Sequence, residues 1–143
     1  MHSQEVQRKA DTVAECLVLL AGVPQGSFEE FSADPLRLPA TLHLLQTAIQ
    51  ALIDLGGVAV AREGVRAPDR SRDILENLER GGHLPPGSTG RFAPMFSFRN
   101  RVVHLYDRVD PRKVYEILRQ NRADLRDLLE LLLAILDDEG DAR

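Results

Sequence analysis

The chain has 143 residues, a length suited to one domain around one core, and its 43% apolar and 28% charged residues match an ordinary globular protein. Leu, Ala, Arg and Glu are plentiful and aromatics few, which favours helices over a sheet. The lone Cys16 excludes a disulfide framework within the chain and a cysteine-based metal site.

Val6, Ala10, Val13, Leu17 and Leu20 recur at steps of four and three, so residues 3–21 read as an amphipathic helix stopped by Gly22 and Pro24. Residues 27–31 add at most a single turn before Asp34-Pro35. A longer helix is predicted from about Pro39 to Glu63, with Leu42, Leu45, Ile49, Leu52 and Ile53 inward. Gly56-Gly57 lies inside it, a pair costing about 1 kcal/mol each against Ala, so either the helix bends there or another backbone comes close. A short third helix, capped by Ser71, carries Ile74, Leu75 and Leu78 to Gly81-Gly82. Residues 84–90, with Pro85-Pro86, read as a loop, and a fourth helix covers about 91–104. Asp110 as N-cap and Pro111 at the first helical position announce a fifth helix. It runs through Val114, Leu118, Leu125, Leu128, Leu132 and Ile135 to an acidic tail from about residue 137.

Repeats, linkers and period-two patterns are absent from the sequence. The expectation is one all-α domain over 1–143, an up-and-down bundle of about five helices. The N-terminus has no basic stretch leading into an apolar run, and no apolar stretch reaches the roughly 18 residues of a membrane span, so a cytoplasmic protein with no membrane partner is expected.

The net charge of −4 hides an uneven distribution. Residues 91–122 hold eight basic side chains against three acids, a net of +5 beside −9 for the rest. A basic segment in an acidic body suits an RNA backbone or an acidic partner; equally, it is what a solvated helix face looks like.

Within that segment, Met95, Phe98, Val102 and Leu105 share one stripe, with Phe92, Phe96 and Val103 forming a second apolar flank. Asn100 points about 180° from the stripe and His104 about 140° from it, neighbours because i and i+4 stack. A helix apolar nearly all round is buried on two sides, one of them expected to be a second copy. His104 is either a satisfied structural histidine or a catalytic one, and it sits among Arg99, Asn100 and Arg101 in the most basic part of the chain. His2, His43 and His83 are weaker candidates. No histidine pair has the i, i+4 spacing of a helical metal site, so neither a metal nor a cofactor is expected.

Arg99 and His104-Leu105-Tyr106 together form Arg-x4-His-x-Tyr, which resembles the signature of the HEPN superfamily in its HepT branch. Asn100 matches the polar residue that follows the motif arginine. Residues 45–54 resemble that family's second-helix block, and Phe98 to His104 with Val109-Asp110-Pro111 resemble its fourth-to-fifth-helix junction. Leu105 stands where relatives often carry Gly or Glu.

The resemblance implies a HEPN-like bundle and a metal-independent toxin endoribonuclease. It implies a homodimer in which the motifs of two chains meet, with Arg99 and His104 catalytic and Asn100 and Arg101 supporting them. It further implies a nucleotidyltransferase antitoxin of the MntA type, which would adenylylate Tyr106. Arg108, Arg112 and Lys113 are candidates for contacting RNA or that partner. The alternative is a non-catalytic helical scaffold for a nucleotidyltransferase. An intact Arg99, Asn100 and His104 set favours the nuclease.

Overall fold

Ser3 opens the first helix by accepting the Val6 amide on its hydroxyl at 3.2 Å, which satisfies one of the unpaired donors of a helix start. Helix α1 (Gln4–Ala21) turns Val6, Ala10, Val13, Cys16 and Leu20 inward. The structure is a computed structural model describing residues 3–64, 70–104 and 109–141, with side chains except those of 101–104 and 138–141. Among the described residues there are six helices and no strand.

The expected single turn after α1 is a short helix, α2 (Phe28–Ser32), capped by Ser27 accepting the Glu30 amide, with Phe31 fully buried. Helix α3 (Arg37–Arg62) begins two residues earlier than the apolar pattern suggested. One sequence expectation is corrected here. By length and composition α3 is apolar enough to cross a bilayer, with a window of mean hydropathy 1.5. Its apolar side is the centre of the bundle instead: Leu45, Ile49, Leu52 and Leu55 are sealed from solvent, and it packs against α1, α4, α5 and α6.

Helix α4 (Ser71–Arg80) corrects the cap assignment. Ser71 is the first helical residue; the N-cap is Arg70, whose amide donates to the Asp73 carboxylate at 3.3 Å. Its end is a Schellman arrangement, with the His83 amide reaching Leu78 O at 2.8 Å and the Gly82 amide reaching Glu79 O at 3.0 Å. Gly82 takes φ +80 there, a conformation that side-chain-bearing residues rarely adopt.

Helix α5 (Ser88–His104) starts inside the stretch read as loop. Glu79, on the last turn of α4, accepts the Gly87 amide at 3.0 Å and the Thr89 amide at 2.7 Å, so a neighbouring helix supplies the cap. Helix α6 (Pro111–Asp141) is capped by Asp110 as expected, its carboxylate accepting the Arg112 amide at 3.0 Å.

Cross-helix contacts set the directions. Lys9 meets Asp54 and so ties α1 to α3, while Asn100 meets Ser71 and Glu79 meets Thr89, so α4 and α5 run antiparallel. Arg91 of α5 pairs with Asp124 at 2.9 Å and with Asp127, both on α6, and these carboxylates hold its pKa above the ordinary arginine value. The Gly56-Gly57 question resolves toward close approach, by a side chain. A Cβ on Gly56 would fall 2.6 Å from Ile74 Cγ2, so Gly56 is the notch that seats α4 on α3, while Gly57 faces open space.

Candidate active site

At about 100° per residue, Arg99 falls on the same line of α5 as Phe92, Met95 and Phe96. Those three are fully buried, and Arg99 is half-buried where that apolar line runs out. Its guanidinium lines a cleft of about 420 Å³ whose floor is the polar strip of α3, His43, Gln46, Thr47, Gln50 and Asp54, and whose far wall is Lys9 and Thr12 of α1. The strip is ordered by its own contacts. Lys9 Nζ donates to Asp54 Oδ2 at 2.7 Å, and Gln50 Nε2 donates to Asp54 Oδ1 at 2.8 Å. Asp54 is thereby occupied at both oxygens.

Arg99 itself has no carboxylate partner among the described residues; its hydrogen bond goes to Asn100 Oδ1 at 3.5 Å. An arginine left uncompensated at a concave polar surface can take an anion in bidentate fashion. Asn100 is exposed, as the helical projection expected, and its Nδ2 reaches Ser71 Oγ at 3.4 Å, tying this part of α5 to the start of α4.

The helix carrying Arg99 continues to His104. The side chains of Arg101 and His104 lie outside the described residues, as do Tyr106 and Arg108. Arg112 stands exposed with its Cζ 4.2 Å from the centroid of the Phe28 ring, and Lys113 lies 4.0 Å from Glu116. Neither joins the Arg99 cleft. Among the described residues, no group of three His, Cys, Asp or Glu side chains is placed to hold a metal ion.

The second apolar flank of α5, for which a second copy was the expected cover, is already buried within the single chain at Phe92 and Phe96, which are at most 1% exposed beneath α3, α4 and α6, while the Val103 side chain lies outside the described residues. The residue that sequence reasoning ranked too low is His43, exposed on the cleft floor. Its signal was legible. His43, Gln46 or Thr47, Gln50 and Asp54 repeat at helical spacing on an otherwise apolar helix, and such a polar strip marks a face that no helix covers.

An all-helical bundle that presents an unpaired arginine, followed after four residues by histidine, over a polar groove defines the class to which comparison with known proteins then gives a name. The family model described as ribonuclease HepT-like matches residues 13–132, and the chain belongs to that family. Among solved structures, the fold is similar to a tri-AMPylated Shewanella oneidensis HEPN toxin in complex with an MNT antitoxin. There the identity is 20% and the TM-score 0.81, over 93% of this chain and 99% of the other. It is also similar to a toxin–antitoxin with AMP-PNP, at 18% identity and TM-score 0.79 over 92% and 99%. A tyrosine-to-alanine mutant of a MntA-HpeT toxin–antitoxin gives 20% and 0.80 over the same shares. No curated protein matches the chain.

Proposed function

We propose that the protein is the toxin of a toxin–antitoxin pair, a metal-independent endoribonuclease of the cytoplasm that cleaves RNA with Arg99 and His104. The observation that carries this reading is the unpaired Arg99 guanidinium at the polar cleft, in a chain of the ribonuclease HepT-like family. In the reaction the ribose 2′-oxygen attacks the adjacent phosphorus. His104 takes the 2′-hydroxyl proton and a protonated group returns one to the departing 5′-oxygen, leaving a 2′,3′-cyclic phosphate. Arg99 donates to the phosphorane oxygens as their charge grows. Asn100 and Arg101 support that pair, with the Asn100–Ser71 contact steadying the helix beneath it.

On one straight helix Arg99 and His104 diverge by about 140°, too far round to serve one phosphate comfortably. A homodimer that brings Arg99 of one chain toward His104 of the other removes the difficulty.

The partner is an MntA-type nucleotidyltransferase, as in the complexes this fold resembles. Attack of the Tyr106 phenol, two residues beyond His104, on the ATP α-phosphate with release of pyrophosphate would add bulk and negative charge beside the cleft and exclude RNA. Arg108, Arg112 and Lys113 contact that partner or the strand.

The test is cleavage of RNA by purified protein in the presence of chelator. Arg99→Ala and His104→Ala are expected to lower the rate at least about 100-fold with helical content unchanged. Tyr106→Phe is expected to keep cleaving after incubation with the nucleotidyltransferase and ATP. Unchanged cleavage by either alanine variant overturns the mechanism, and silencing of Tyr106→Phe overturns the regulation.

A further inference from the structure

Helix α6 carries Arg112, Arg119, Arg122 and Arg126 at spacings of seven, three and four. With 3.6 residues per turn these fall within an arc of about 80°, in a row about 21 Å long. Arg112, Arg119 and Arg126 are exposed and Arg122 is half-buried.

The first two guanidiniums are held in place from below. Arg112 Cζ lies 4.2 Å from the Phe28 ring centroid and Arg119 Cζ 5.9 Å from that of Tyr115. The rings are fixed in turn: Tyr115 packs edge-on against Phe28 with centroids 5.7 Å apart, and its hydroxyl donates to Gln25 O at 2.8 Å.

Carboxylates do not neutralise the row. Among the described residues only Arg126 has an ion pair, at 3.8 Å to an Asp127 that also holds Arg91. Glu116, beside the row, lies 4.0 Å from Lys113, and Glu29 and Glu30 on the adjoining α2 make no ion pair with it. In a chain of net charge −4, three arginines without carboxylate partners among the described residues form a local cationic track on one helical face.

We propose that this face of α6 binds single-stranded RNA, holding the strand outside the cleavage site; the proposal rests on the RNA-cleaving reading above. The arginines neutralise successive phosphates. Arg112, held 4.2 Å over the Phe28 ring, also offers its guanidinium as a plane on which an unstacked base can lie.

The experiment measures binding of a 20-nucleotide 2′-O-methyl strand, which lacks the attacking hydroxyl, by fluorescence anisotropy across a salt series. Wild type is compared with Arg119→Glu/Arg122→Glu and, as a milder pair, Arg119→Gln/Arg122→Gln. The expected result for the Gln pair is at least tenfold weaker binding and a log–log salt slope shallower by about 1.4, since each phosphate contact on a single strand contributes about 0.7. Cleavage of a dinucleotide, too short to span the row, is expected to stay at the wild-type rate. Affinity within twofold of wild type with an unchanged slope in both pairs overturns the proposal. So does loss of nucleotidyltransferase binding with strand binding intact, which would assign the row to the protein partner. If the wild type cleaves no RNA while the strand still binds through Arg119 and Arg122, the nuclease reading fails and this one stands.

Discussion

Gly56→Ala offers a sharp test of how α4 is seated on α3. Alanine is the better helix former by about 1 kcal/mol, so on an open helix face the change stabilises. At Gly56 the new methyl falls 2.6 Å from Ile74 Cγ2, where ordinary contact begins near 3.4 Å. Ile74 is β-branched, 5% exposed and stiff at χ1, so it cannot swing aside cheaply. Overpacking of this kind costs about 1–3 kcal/mol, and the expected net effect is destabilisation of about 1 kcal/mol. In an Ile74→Ala background the clash is gone. That background is itself weakened by about 2–5 kcal/mol, and Gly56→Ala should now stabilise it by about 1 kcal/mol. The coupling is therefore about 2 kcal/mol, measurable by urea unfolding of the four proteins in a double-mutant cycle. Gly57→Ala, with open space at the Cβ position, is the control and should stabilise in both backgrounds. Additive behaviour of Gly56→Ala and Ile74→Ala would refute the notch.

The other predictions concern buried and capping polar groups. The Thr41 side chain is fully buried and its hydroxyl has no hydrogen-bond partner among the described residues, so Thr41→Val should raise stability by about 1–2 kcal/mol in urea unfolding; a loss would mean the hydroxyl is satisfied. The Thr89 and Gly87 amides lower the Glu79 pKa, so its stabilising effect is complete above the ordinary glutamate value and fades as pH falls below it. Glu79→Gln should flatten the stability profile in that acid range and leave its shape near pH 7 unchanged; a steeper acid limb would contradict the cap.

The helices were legible because their signals are local. Asp110-Pro111 marks the start of α6 by chemistry that acts within one turn, and the carboxylate accepting the Arg112 amide is that chemistry. The start of α5 was not legible in the same way. Its cap comes from Glu79, ten residues before Thr89, across a Gly- and Pro-rich connection that reads as loop. Gly56 shows the same limit. The sequence displays a costly glycine inside a helix, while the reason for it, the Ile74 side chain, belongs to another helix.

Charge was harder to read than helix, because the sequence gives position along the chain and function depends on what each charge faces. Arg91, Arg99 and Arg112 all counted toward the same basic segment. Arg91 is spent on Asp124 and Asp127 and serves to fasten α5 to α6. Arg112 is seated on an aromatic ring with its charge outward. Arg99 alone turns along the buried line of its helix into a polar cleft, with an amide neighbour and no carboxylate among the described residues. A half-buried cation that gains no counter-charge among the described residues has lost part of its hydration at a cost. The phosphate of the proposed substrate would offset that cost. The fastening by Arg91 anchors the first turns of α5 against α6, ahead of Pro94 and the turn that bears Arg99. On the proposed reading, phosphate binding at Arg99 depends on the same bundle contacts that anchor the helix bearing it.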